Sequence, residues 1–283
     1  TTAFIVITYT PNDLLGSDRV AFQSDHLTVA QRARLGETFA EVEWVGVKEM
    51  LVDAVAAKTA EEVGKVRRAQ AATCAILQSV LPLLQSGITE REVATELVAR
   101  HLRAGAETMA FEPIVGSGPN GALPHARAGD RTLQSGDLVV IDVGGMFDGY
   151  ASDLTRTVAI GEPGEEARQS YEAVRRAQET AISGAKAGVT GTYLDTLARD
   201  VLRGAGLADY FSHSLGHGVG LDVHEWPRLS QAVEHVIPAG ATITIEPGVY
   251  LPGRFGIRIE DVITLTEDGH ENLTPLSNEL IVL

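Results

Sequence analysis

Only one cysteine, Cys74, stands among the 283 residues. An intramolecular disulfide framework is therefore impossible, and a reducing, cytoplasmic compartment is expected. Cys74 sits among Ala72, Ile76 and Leu77 with no basic sequence neighbour to activate a thiolate, so it reads as core. Positive charge is scarce as well. Lys and Arg number 23 against 38 Asp and Glu, a formal net charge of −15. Such a surface repels phosphate backbones and anionic lipid, so neither nucleic acid nor a membrane is an expected partner. Long apolar runs are also missing. The β-rich start, Thr1 to Tyr9, has no basic leader and is too short to cross a bilayer. The chain does not begin with methionine, and a trimmed N-terminus is expected. No short repeat or low-complexity stretch is present. Hydrophobic residues make up 44% of the chain, as in an ordinary globular protein able to form a sizeable core.

Two regions are expected, 1–58 and 59–283. The first alternates strand-like runs (Ala3 to Thr8, Val20 to Gln23, Val42 to Val47) with a helical stretch from Thr28 to Phe39, a small α/β unit. Thr59-Ala-Glu-Glu62 has capping-box spacing and opens a long amphipathic helix that Pro82 kinks and Gly87 stops. A second box, Thr89-Glu-Arg-Glu92, opens another that closes at Gly105. Strand-like runs follow at Phe111 to Val115, Leu138 to Val143 and Tyr150 to Ile160, the last two reading as a hairpin across Gly144 to Gly149. Helices at about 165–186 and 192–204, then runs at 211–223, 241–250 and 255–266, repeat the scheme. The expected fold class is α+β: two similar halves, with helices packed on a curved, mainly antiparallel sheet.

Several acidic residues interrupt apolar strands, where solvation does not explain them. Asp142 ends Leu138-Val-Val-Ile141, Glu246 follows Ile243-Thr-Ile245, and Glu260 follows Ile257-Arg-Ile259. A buried carboxylate needs a cation or a proton, because an isolated buried charge costs several kcal/mol. Asp153 lies across the expected hairpin from Asp142, so the two can converge. With the glycine-flanked His217, four carboxylates and one imidazole form a hard, oxygen-rich set able to hold two divalent cations. Mn²⁺ fits best, and Co²⁺, Zn²⁺ or Fe²⁺ also bind such donors. Two ions roughly 3.5–4 Å apart can share a bridging water, turn it into a hydroxide and polarise a carbonyl, which makes amide hydrolysis the natural reaction. His213 is an even number of residues from His217, so both would project from one face of an extended strand.

The stretch His213-Ser-Leu-Gly-His217-Gly-Val-Gly-Leu-Asp-Val-His224-Glu225 resembles the signature of prolidases and Xaa-Pro aminopeptidases, within the pita-bread metallopeptidases. Ile141-Asp142-Val-Gly, Ser152-Asp153-Leu-Thr-Arg-Thr157, Ile245-Glu246-Pro-Gly and Gly256-Ile-Arg-Ile-Glu260-Asp resemble the family's other metal-ligand motifs, in the same order, so the resemblance covers residue 59 to the C-terminus. It implies a pita-bread fold and metal ligation by Asp142, Asp153, His217, Glu246 and Glu260, with Asp142 and Glu260 bridging. It makes Glu246 the proton acceptor from the attacking water. His125 would handle substrate or leaving group, His224 would stabilise the tetrahedral intermediate, and His213 would line the pocket of the proline-specific branch. Arg258 would orient ligands, bind a substrate carboxylate or neutralise the cluster, with Tyr250 a weaker supporting residue.

The implied activity is a dinuclear-metal Xaa-Pro dipeptidase acting on short proline-containing peptides, as a homodimer. Xaa-Pro aminopeptidase is the alternative. Methionine aminopeptidase or a non-catalytic binding module of the same fold is more remote. The segment before Thr59 is much shorter than the N-terminal domain of typical members, which bears on the pocket cap and dimer contacts.

Overall fold

A computed structural model describes residues 19–48 and 52–283. The expected strand Ala3 to Thr8 lies outside the described residues. Contacts within the chain divide between Val55 and Ala56. In the first unit, β1 (Arg19–Gln23) and β2 (Glu43–Val47) pair in parallel, with α1 (Val29–Thr38) between them in sequence. Thr28 starts α1 through a capping box with Gln31, which satisfies backbone donors that the first helical turn leaves unpaired. A short helix, α2 (Val52–Ala56), follows.

The second unit begins with α3 (Ala60–Val80) and α4 (Glu90–Arg103), opened by Thr59/Glu62 and Thr89/Glu92 capping boxes. The first helix ends at Val80, short of Gly87. A 3-10 turn, Leu81–Leu83, takes over where Pro82 offers no N–H to continue the ladder. Then come β3 (Thr108–Met109), β4 (Ile114–Ser117), β5 (Leu138–Val143), β6 (Gly145–Phe147), β7 (Tyr150–Ala151) and β8 (Leu154–Ala159). The expected second arm, Tyr150 to Ile160, is thus two strands. Asp148 and Gly149, both at positive φ, turn β6 back onto β7 as a separate hairpin, while β8 pairs antiparallel with β5. Ser152 and Asp153 form the corner between them.

The scheme recurs with α5 (Glu165–Ser183), α6 (Gly191–Gly204), β9 (Gly216–Gly218), β10 (Glu225–Leu229), β11 (Thr242–Ile245), β12 (Gly248–Leu251), β13 (Phe255–Arg258) and β14 (Asp261–Leu265). Here β11 pairs antiparallel with β14, and β12 with β13 forms the inserted hairpin. β15 (His270–Asn272) and β16 (Ile281–Val282) complete sheets of order β10-β9-β11-β14-β15 and β16-β8-β5-β4. Only β16 joins its sheet in parallel, against β8, so the unit is α+β with mainly antiparallel sheets.

Each sheet is covered by its own helix pair. Leu77, Val93 and Leu97 pack with Val139, Ile141 and Val158 in one cluster, and Val174, Leu194 and Leu202 pack with Ile243 and Ile263 in another. At about 1.5–3 kcal/mol for each such buried side chain, these two cores hold the sheets rigid enough to carry charged groups at strand ends. No helix of the described residues is long and apolar enough to cross a membrane.

Candidate active site

The four acidic residues occupy equivalent junctions of the two halves. Asp142 lies near the end of β5 and Asp153 immediately before β8. Glu246 follows β11, and Glu260 precedes β14. Each strand pair carries an inserted hairpin, and the ligand-type residues sit where strand and hairpin meet. His217 comes from the centre of β9, between β10 and β11. Its flanking glycines have a steric reason. A Cβ on Gly216 would lie 2.1 Å from the Thr244 carbonyl oxygen, and one on Gly218 would lie 2.2 Å from that of Trp226.

These side chains converge. Ligand-type atoms of Asp153, His217 and Glu260 all lie within 4.8 Å of one another. His217 Nε2 is 3.3 Å from Glu246 Oε1 and 3.6 Å from Asp153 Oδ2. Its Nδ1 is 3.0 Å from the Gly218 carbonyl, which can only accept, so Nδ1 carries the hydrogen and Nε2 turns a lone pair toward two carboxylates. A proton or a cation has to stand there. Asp142 Oδ2 accepts from Arg258 Nη2 at 2.6 Å, whereas Asp142 Oδ1 is buried with no hydrogen-bond partner among the described residues. That orphaned oxygen and the inward-facing imidazole nitrogen fit a divalent cation, and a backbone carbonyl holding the far side of the ring is the usual support of a metal-binding histidine.

The electrostatics agree. Burial, together with the negative charges of Glu260, Asp142 and Glu246, raises the Asp153 pKa well above the usual carboxylate range. Burial, with Glu246 and Asp142, does the same to Glu260. Asp142 is also raised, chiefly by burial, against the pull of Arg258. Burial alone would raise Glu246, but its hydrogen bond and charge contact with His217 outweigh this and bring it to about 2. Burial alone would lower His217, and the same contact leaves it raised.

Arg258 is fully enclosed. It donates to Thr155 Oγ1 (3.1 Å), the Pro124 carbonyl (3.1 Å), Tyr250 Oη (2.6 Å) and Asp142. Tyr250 Oη is also 2.8 Å from His213 Nε2. Because His213 Nδ1 faces the Ser214 carbonyl and must donate to it, Nε2 accepts from the tyrosine hydroxyl. Burial keeps this histidine neutral by lowering its pKa, and it pushes Tyr250 up to about 12. His213 itself stands in a bend ahead of β9 rather than on an extended strand. Arg199 on α6 holds it there by donating to the carbonyls of Phe211 (2.9 Å) and His213 (2.6 Å).

All five ligand-type residues, with His125, His213, His224 and Arg258, line one cleft of about 420 Å³ whose wall includes the apolar Phe111, Pro113 and Ile114. His224 stacks edge-on against His217 at 4.2 Å between ring centroids, and its pKa is lowered by burial and then by His217.

Sequence reasoning missed the groups that aim these side chains. Gln70, fully buried on α3, clamps the backbone of Asp153 by donating to its carbonyl (2.7 Å) and accepting from its N–H (3.1 Å). Thr155 Oγ1 donates to Glu260 Oε2 at 2.9 Å. Gln70 had one visible signal, an amide on the apolar side of an amphipathic helix.

The fold and the cleft define a peptidase of the metal-dependent kind: this chain belongs to metallopeptidase family M24, whose pattern matches residues 64–267. Among its relatives, the Xaa-Pro dipeptidase of Pyrococcus furiosus is 43% identical over 239 residues, 84% of this chain and 69% of that protein. The structure of a Xaa-Pro dipeptidase from Bacillus anthracis superposes with a TM-score of 0.93 at 36% identity, covering 96% of this chain and 76% of the other. That of an X-Pro aminopeptidase from Thermotoga maritima gives 0.90 at 37% identity, covering 96% and 77%. These likenesses establish the pita-bread fold.

Proposed function

We propose that the chain hydrolyses Xaa-Pro dipeptides, with Asp142, Asp153, His217, Glu246 and Glu260 holding two divalent cations. The observation that carries this reading is the gathering of all five in one cleft beside His125, His213 and His224, in a chain whose similar relatives include proteins named Xaa-Pro dipeptidases. The donor set, one imidazole and four carboxylates, suits Mn²⁺. When bound, such ions polarise a carbonyl and lower the pKa of water. Glu246, ionised at neutral pH, takes the proton of the attacking water on a carboxylate oxygen and passes it to the proline nitrogen as the C–N bond breaks. His224, kept neutral, donates a ring N–H to the oxygen that gains charge in the tetrahedral intermediate. Arg258 has most of its donors committed to protein groups, which favours charge neutralisation of Asp142 over binding a substrate carboxylate. Phe111, Pro113 and Ile114 supply an apolar wall against which a pyrrolidine ring packs and from which water is excluded.

A cytoplasmic setting suits the single Cys74, whose thiol burial pushes up to about 12 and leaves unreactive. The test compares Ala-Pro with a longer Xaa-Pro peptide in the presence of Mn²⁺. Faster turnover of the dipeptide is expected. Preference for the longer peptide would favour the second reading, an Xaa-Pro aminopeptidase, which the Thermotoga maritima neighbour supports. Release of an N-terminal methionine from peptides without proline would overturn both.

A further inference from the structure

Glu90 has no exposed surface; the Arg131 guanidinium feels its charge and donates to the Ser117 hydroxyl, but no Lys, Arg or His makes a direct salt bridge to Glu90 among the described residues. Its carboxylate instead collects four donors. Oε1 accepts from Ser117 N (2.8 Å) and Ser117 Oγ (2.6 Å), Asn120 Nδ2 reaches both oxygens at 3.1 Å, and Oε2 accepts from Gly129 N (3.2 Å). Only a carboxylate can face so many donors, because an amide would turn an NH₂ toward some of them. Its position in the first turn of α4 adds the favourable end of the helix dipole.

The donors belong to the two ends of one loop. Ser117 and Asn120 stand where it leaves β4, and Gly129 where it returns along the N-terminus of α4, with Glu90 N donating to Arg131 O and Arg91 N to Gly129 O, each at 3.0 Å. Between these ends the loop lies against β13. A Cβ on Gly256 would fall 1.8 Å from the Gly121 carbonyl oxygen, and Pro124 O accepts from Arg258. His125 is the next residue, and it lines the catalytic cleft.

We propose that Glu90 is a positioning residue: by gripping both ends of the 117–129 loop from below, it sets the placement of His125 against the reacting peptide bond. The inference rests on the peptidase reading, because it assigns His125 contact with substrate. Misplacing a catalytic group by about 1 Å costs on the order of 10²-fold in rate.

Glu90→Gln keeps size but sets an amide against the donors. With Mn²⁺ present, its kcat/KM for Ala-Pro is expected to fall about 10–100-fold, with Mn²⁺ affinity from calorimetry unchanged. In a His125→Ala background the same substitution should cost less than about threefold, since two residues acting through one contact are not additive. Asn120→Ala removes only one donor and should show the same dependence on His125 at roughly 3–10-fold; it serves if Glu90→Gln does not fold. A kcat/KM within about twofold of the parent, or an equal loss with and without His125, overturns the proposal. A parent chain that does not cleave Ala-Pro at all overturns the peptidase reading instead, so the two failures are distinct.

Discussion

The two halves of the catalytic unit repeat each other in backbone but not in charge. Each offers two carboxylates at the corners of a strand pair with an inserted hairpin. The cationic and imidazole partners of the cluster, His217 and Arg258, both come from the second half. Glu246 is therefore neutralised by its own half and Asp142 by the opposite one, while Asp153 and Glu260, one from each half, have neither Lys nor Arg in salt-bridge contact among the described residues. Positive charge is therefore unevenly placed: the guanidinium of Arg258 pairs with Asp142, whereas Asp153 and Glu260 gather round His217 alone and, under the proposed function, leave room for a cation.

Removing the proposed proton acceptor should have the largest effect. Glu246→Gln is expected to reduce kcat for Ala-Pro by about 10²–10⁴-fold, measured with Mn²⁺ at neutral pH. A loss under tenfold would shift the general base to another group. Next in size is Arg258→Ala. It strips the first half of its borrowed cation and leaves Asp142 buried and unpaired, so urea unfolding of the metal-free protein should show a loss of about 3–5 kcal/mol. Saturating Mn²⁺ should recover part of that loss, and an equal loss with and without the ion would separate Arg258 from the metal flank.

Gln70→Ala tests the cation-poor flank. Freeing the Asp153 backbone should weaken Mn²⁺ affinity by about 10–100-fold while Arg258 and Asp142 remain paired, which calorimetry would register. The smallest effect is on pH dependence. Asp153 and Glu260 have folded pKa values above their unfolded ones, so the folded state holds more protons than the unfolded state. Their contribution is complete below the unfolded carboxylate range of about 4 and is lost as pH rises through the raised values. The melting temperature of the metal-free protein should accordingly fall from about pH 5 upward, and a cation bound to the ionised groups should flatten the slope. A slope insensitive to Mn²⁺ would mean that these carboxylates do not meet the ion.

Much of this was legible in the sequence because it is local. The capping boxes at Thr59 and Thr89 lie within one helical turn, and the acidic residues are conspicuous because strand periodicity demands an apolar side chain or a compensated charge where they stand. His213, His217 and His224 were legible through the resemblance of one motif, and His125 through that of a separate stretch. Residues whose partners are remote in sequence were not. Gln70 meets Asp153 across 83 residues and Glu90 meets Ser117 across 27, distances over which no periodicity operates; Arg258 was legible beside Glu260, but not its pairing with Asp142 across 116 residues. His213 marks the limit of the strand rule. It was expected to share an extended face with His217, yet it enters the cleft from a bend because α6 contributes Arg199 and the buried Asp195, whose Oδ1 accepts from Leu215 N at 3.1 Å. Tyr150 to Ile160 broke for a related reason, since a turn at Asp148–Gly149 pairs its first residues elsewhere.

Ionised carboxylates from both halves are proposed to share the divalent cations needed for hydrolysis. Titrating metal-free protein with Mn²⁺ in a calorimeter, in buffers of different ionisation enthalpy, measures ion stoichiometry and proton release together. Two ions per chain are expected to bind, with protons released on binding and Ala-Pro hydrolysis appearing only as the sites fill. Full turnover by chelator-treated protein with no bound metal would contradict that expectation.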